Sequence, residues 1–140
     1  MKQIPVIFWT GTGNTQMMAD VIAAAINAAG AEAVVKNVSE ITADEAAGYA
    51  ALALGCPAMG AEVLEECEFE PFFTGLEGKL AGKKVALFGS YGWGGSYMQD
   101  WEARVKDAGA ELVAAGVLAL GAPDDEAEAK LAEAGKLLAE

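Results

Sequence analysis

The chain contains no histidine and only two cysteines, Cys56 and Cys67, with no C-x-x-C spacing between them. Zinc and iron–sulfur sites are thereby left without a ligand set, and both cysteines read as free thiols in a reducing compartment. Long apolar runs are missing as well. The opening stretch Ile4 to Trp9 is shorter than a signal-peptide core and ends in a polar loop, and no segment reaches the length that crosses a bilayer. A cytoplasmic protein is the expectation. Basic residues are scarce, 9 lysines and arginines against 21 acids, for a net charge of -12 and a pI near 4.3. Such a surface repels phosphate backbones and anionic lipid, which argues against nucleic-acid and membrane partners and leaves a basic protein surface as the complement. Acidity of this kind also serves solubility alone.

What is present suits one domain spanning 1–140, since 54% hydrophobic content is ample for a single core at this length. Ile4 to Trp9 is almost continuously apolar, the pattern of a strand buried on both faces of a parallel sheet, with Pro5 near its start. Met18, Ile22, Ala25, Ile26 and Ala29 then recur at helical spacing, and Gly30 stands where a left-handed cap belongs. The alternation continues. Ala33 to Asn37 reads as a strand, Thr42 with Glu45 as a capping box for a short helix, and Tyr49 to Leu54 as the third strand. A helix carrying Phe72, Phe73, Leu76 and Leu80 precedes a fourth strand from Lys84 to Gly89, and Ser90 to Ser96 reads as a glycine-rich loop. Trp101, Val105 and Ala108 mark the next helix, Glu111 to Leu120 the fifth strand, and Ala127, Leu131, Ala134 and Leu138 one face of the last helix. Five such alternations predict an α/β doubly wound parallel sheet with helices on both faces. Ligands of such sheets bind outside the carboxyl ends of the strands, so the loops after strands one, three and four are the places to search.

Thr10-Gly11-Thr12-Gly13-Asn14-Thr15 joins the first strand to the first helix and brings together hydroxyls, a side-chain amide, backbone N–H groups and a helix N-terminus. The glycines let a phosphate approach the backbone, while Thr10, Thr12, Asn14 and Thr15 donate hydrogen bonds without adding charge. No lysine follows Gly13, so the loop is not a Walker loop, and no third glycine completes a dinucleotide fingerprint. A single terminal phosphate fits better. The same hexapeptide is also readable as an ordinary turn that caps a helix.

Three loops together carry a family resemblance. Thr10 to Thr15 after Trp9, Gly55-Cys56-Pro57-Ala58-Met59-Gly60, and Gly89-Ser90-Tyr91-Gly92-Trp93-Gly94 resemble the flavin-binding loops of the flavodoxins, in the family's order and over essentially the whole chain. The fifth strand has no room for the long-chain insertion, so the short-chain branch is the nearer match. The resemblance implies a flavodoxin-like sandwich with strand order 2-1-3-4-5, non-covalently bound flavin mononucleotide (FMN), and a monomeric one-electron carrier shuttling between semiquinone and hydroquinone. It implies a cofactor site built from Trp9, Thr10 to Thr15, Pro57, Ala58, Met59, Gly60, Ala61, Glu62, Ser90, Tyr91, Gly92, Trp93 and Gly94. Trp93 and Met59 would wall the ring, being a large aromatic and a polarizable thioether. Without the resemblance the two are equally readable as core fillers, and Trp9 as either core or site.

In the family, the peptide matching Gly60–Ala61 turns over on one-electron reduction, which glycine eases by tolerating positive φ. Ala61 departs from relatives that carry a polar residue there. Glu62 matches the acceptor for the flavin N3–H. Glu62, Glu65 and Glu66 are further expected on one rim, steering redox proteins with basic docking surfaces. A flavin enzyme of related fold, such as an NAD(P)H:quinone reductase, is the runner-up. It is disfavoured by the missing histidine and by the absence of an arginine cluster. A receiver-type signalling domain would need an aspartate where Leu54-Gly55-Cys56 stands. A flavin-free interaction module is the remaining alternative.

Overall fold

A computed structural model describes residues 2–9, 13–57, 65, 67–91 and 96–140. The chain alternates as the apolar periods dictate: β1 (Gln3–Phe8), α1 (Asn14–Ala28), β2 (Glu32–Asn37), a 3₁₀ turn (Val38–Glu40), α2 (Ala43–Ala46), β3 (Ala51–Gly55), α3 (Phe69–Glu77), β4 (Lys84–Tyr91), α4 (Ser96–Asp107), β5 (Glu111–Leu112), β6 (Val117–Leu120) and α5 (Asp125–Ala139). All strand pairs are parallel. Their order is β2-β1-β3-β4-β5, with β6 also paired to β4, so the fifth lane of the sheet is filled by two short strands in succession.

Burial on both faces explains the continuous apolar runs, because successive side chains of a strand point to opposite sides. On one side Ile4, Val6, Phe8, Ala53 and Phe88 pack with Ile22 and Ile26 of α1 and Leu131 and Leu138 of α5. On the other, Ile7, Leu52, Leu54, Val85 and Leu87 meet Phe69, Phe73 and Leu76 of α3 and Trp101 and Val105 of α4. Trp101 is buried there as its helical spacing predicts, standing edge-on to Phe69 and Phe73 with ring centroids 5.5 and 5.9 Å away. Arg104 binds α4 to α3. Its guanidinium donates to both carboxylate oxygens of Glu70 at 2.7 and 2.9 Å and to Glu77 at 3.1 Å, and lies 4.7 Å over the Phe73 ring.

Three details depart from the expectation. The strand expected over Glu111 to Leu120 is interrupted, because the Gly116 amide turns away to donate to the Glu102 carboxylate of α4 at 2.6 Å. Ser90 and Tyr91 belong to β4 rather than to a loop, since β6 supplies partners for them in the register Ser90↔Ala119 and Tyr91↔Leu120. The third strand begins at Ala51 and reaches Gly55. The short helix α2 does carry the Thr42 and Glu45 capping box, and Gly30 takes a positive φ of 94° after α1.

Candidate functional site

The chain passes from β1 outward to β2 and returns across β1 to β3, so strand order reverses between β1 and β3. In sheets of this kind the carboxyl edge at such a reversal is where ligands bind. Phe8 is in register with Gly55, and Gly55 with Phe88, so β1 and β3 end level with each other while β4 runs on three residues to Tyr91. The three singled-out segments therefore start from neighbouring strands at one edge of the sheet. Of the expected site residues, Trp9, Gly13, Asn14, Thr15, Pro57, Ser90 and Tyr91 are described; Thr10, Gly11, Thr12, Ala58, Met59, Gly60, Ala61, Glu62, Gly92, Trp93 and Gly94 lie outside the described residues.

Trp9 follows β1 half-buried, its amide donating to the Gly55 carbonyl at 3.0 Å and its indole Nε1–H to Glu68 Oε1 at 3.2 Å. Gly13 is the N-cap of α1 with φ 92°, a left-handed conformation that side chains disfavour. Having no side chain, it cannot cap the helix in the way that Thr42 and Asp124 cap α2 and α5. The first turn of α1 holds no acid, whereas those of α2, α3 and α5 each do. An N-terminus with no acid in its first turn carries a positive dipole end that suits an anion.

Thr15 and Ser90 are buried polar residues, 1% and 6% exposed, and their hydroxyl oxygens lie 3.3 Å apart. Two hydroxyls carry two protons and the bond between them uses one, so the pair has a proton to donate onward. This chemistry fits a phosphate oxygen. Asn14 and Pro57 are half-buried, and half-buried Tyr91 lines a cleft of about 210 Å³ with Leu118, Ala119, Leu120 and Lys130. Lys130 is paired to Glu126 at 3.2 Å. A second cavity, about 390 Å³ and lined by Glu77, Gly78, Arg104 and Asp107, sits where α3 and α4 end. Those helices run back against the strands, so it lies at the edge of the sheet away from the carboxyl ends of the strands.

Sequence reasoning named Cys56 and Gly89 within the loops but gave them no task, and passed over Tyr97. The Tyr97 hydroxyl, on α4, donates to the Cys56 carbonyl at 2.7 Å in the interior. Gly89 makes that contact possible, because a Cβ there would lie 2.1 Å from both the Cys56 oxygen and the Tyr97 hydroxyl. Cys56 Sγ accepts from the Glu65 amide at 3.3 Å, and burial pushes this thiol up to about 12, so it stays protonated.

Glu65 corrects the expectation of a rim acid. It is 5% exposed, and its carboxylate turns inward to accept from the amides of Cys67, Glu68 and Phe69 at 2.7, 2.7 and 2.9 Å. Burial alone would raise its pKa, but the amides of Phe69, Glu68 and Cys67 outweigh burial and hold the carboxyl below the usual range. The acid just ahead of an apolar helix was the available signal. Cys56 and Cys67 are both free, the first buried and the second exposed. Among the described residues there is no group of three or more potential metal-ligating side chains, and no helix long and apolar enough to cross a membrane.

Comparison with known proteins agrees with this geometry. A family model described as Flavodoxin matches residues 6–135. The chain is 47% identical over 135 residues to a flavodoxin of Clostridium beijerinckii, covering 96% of this chain and 97% of that protein. It is 46% identical over 128 residues to one of Megasphaera elsdenii, covering 91% and 93%. The solution structure of two-electron reduced Megasphaera elsdenii flavodoxin superposes with a TM-score of 0.89 at 44% identity, over 97% of this chain and 98% of that one. Oxidised Flavodoxin 1 from Bacillus cereus gives 0.85 at 28%, over 98% and 97%.

Proposed function

Because the chain belongs to the flavodoxin family, whose members bind FMN and carry electrons rather than turn over substrates, we propose that it is a low-potential one-electron carrier. On this reading it shuttles between one-electron-reduced and fully reduced FMN as a monomeric cytoplasmic domain spanning 1–140. What FMN supplies when bound is one-electron chemistry at its ring. The observation that supports the reading is the buried Thr15–Ser90 hydroxyl pair, which joins the start of α1, whose first turn holds no acid, to the end of β4 across the sheet whose strand order reverses between β1 and β3.

Each residue then has a task. Thr10 to Thr15 bind the phosphate through neutral hydroxyl and amide donors, joined by the proton that Thr15 and Ser90 have to spare. Trp93 and Met59 would hold the ring, with Trp9, Pro57, Ala58, Tyr91, Gly92 and Gly94 contributing to its edges, and Glu62 would accept a hydrogen bond from a ring N–H. The Gly60–Ala61 peptide would offer its carbonyl as a hydrogen-bond acceptor beside the ring. A chain of net charge -12 around an uncharged phosphate loop disfavours a further negative charge there, which sets the second reduction at low potential. The same acidity attracts redox proteins through basic docking surfaces.

The test is anaerobic stepwise reduction of the FMN-loaded protein, followed by its absorption spectrum. A blue one-electron-reduced form accumulating on the way to full reduction supports the carrier. Direct two-electron reduction, or steady turnover with NAD(P)H, overturns it.

A further inference from the structure

The three loops are tied to one another at their bases. Trp9, ahead of the first, donates its indole N–H to Glu68, beyond the second. Thr15, after the first, shares a hydrogen bond with Ser90, ahead of the third. Tyr97, after the third, donates to the carbonyl of Cys56, ahead of the second. Each loop thus has a base bond to each of the others. The second has one more: the Glu65 amide donates to Cys56 Sγ, so the two residues that bracket 57–64 are joined directly. Cys56 is fully engaged, its amide donating to the Phe88 carbonyl at 3.1 Å and its thiol lying 3.6 Å from the Pro57 oxygen. The contact has been given room at the cost of a side chain at Gly89.

We propose that Cys56 and Tyr97 are positioning residues for the cofactor: by holding both ends of residues 57–64 and linking them to α4, they determine how tightly that segment grips FMN and how strongly it distinguishes the redox states. This rests on the carrier reading above. The physical ground is preorganisation. A segment whose ends are fixed has little entropy to lose on binding, and a rearrangement within it is borne locally instead of being relaxed by movement of its anchors. Tyr97 is 2% exposed and burial holds its phenol above the usual range, so it remains a donor at every working pH. Cys56, protonated and 0% exposed, has no redox part in this.

The experiment compares Tyr97→Phe and Cys56→Ala with the unaltered protein and with Leu131→Ala, a core change on the opposite face of the sheet. Three quantities are read: FMN dissociation constant, the two one-electron potentials, and amide exchange at Glu65 and Cys67 in FMN-free protein. Tyr97→Phe should weaken FMN about tenfold and bring the two potentials closer, each tenfold loss of discrimination at one step being about 59 mV. Cys56→Ala should move both in the same direction by a smaller amount. Both should speed exchange at Glu65, whereas Leu131→Ala should lower stability with its potentials in place. Unaltered affinity and potentials in a folded Tyr97→Phe or Cys56→Ala overturn the proposal. So do potentials that move as far in Leu131→Ala. If the unaltered protein takes up no FMN, the carrier reading fails instead, and the exchange rates still decide whether the bonds hold the segment.

Discussion

Replacing Glu65 by glutamine removes one charge from a carboxylate that accepts three backbone N–H bonds at the start of α3, all within 2.9 Å. Glutamine keeps one acceptor oxygen but turns an NH₂ toward amides that are themselves donors. Bonds to charged groups contribute about 1.5–3 kcal/mol, and a lost helix cap costs about 1 kcal/mol, so a loss of about 1–2 kcal/mol at neutral pH is expected. For a chain of this size that lowers the Tm by about 3–8 °C. The sign with pH follows from the depressed carboxyl. Its stabilisation is present in full above the ordinary value of 4.5 and drains away as pH falls through the lower folded value. Glu70, held low by its hydrogen bonds to Arg104, and Asp44, held low by Lys79, lose theirs in the same acid range. Absolute stability therefore mixes all three, and the difference between Glu65→Gln and the unaltered protein isolates one. Urea unfolding at pH 7 and across the acid range reads it directly. The gap should narrow as Glu65 takes up its proton. A gap of the same size at every pH, or none at pH 7, would refute the assignment of Glu65 as an ionised cap.

Gly89→Ala should be among the most damaging single-methyl changes in the molecule, costing several kcal/mol, because its Cβ would sit 2.1 Å from a carbonyl and a hydroxyl that are bonded to each other. Urea denaturation measures it, and near-native stability would show that β4 and Cys56 can move apart. Leu131→Ala, at a fully buried position between α5 and α1, should cost about 2–5 kcal/mol, read from the shift of the urea midpoint at unchanged slope.

Much of the architecture was written in local pattern. Continuous apolar runs implied strands covered on both faces, and β1 and β3 are buried along nearly their whole length. The spacing of Leu131, Ala134 and Leu138 named the inner face of α5, Thr42 with Glu45 named a cap, and Trp101 was assigned to the core, because each depends on residues within a turn or two of one another. Where an element's extent depends on a partner strand, local pattern stopped short: Ser90 and Tyr91 are in β4 only because β6 lies alongside, and the fifth lane is split by a carboxylate from α4.

The same division runs through the site. Chain order was enough to place β1, β3 and β4 side by side in a parallel sheet, and composition to leave the loop after β1 without a cation. Five glutamates between positions 62 and 70 look alike in a string of letters, and only the path into α3 turned Glu65 inward onto three amides. Thr15 finds Ser90 across 75 positions and Tyr97 finds Cys56 across 41. Such meetings depend on strand order and register, which are settled by the packing of the whole sheet and carry no signature in either residue's neighbours.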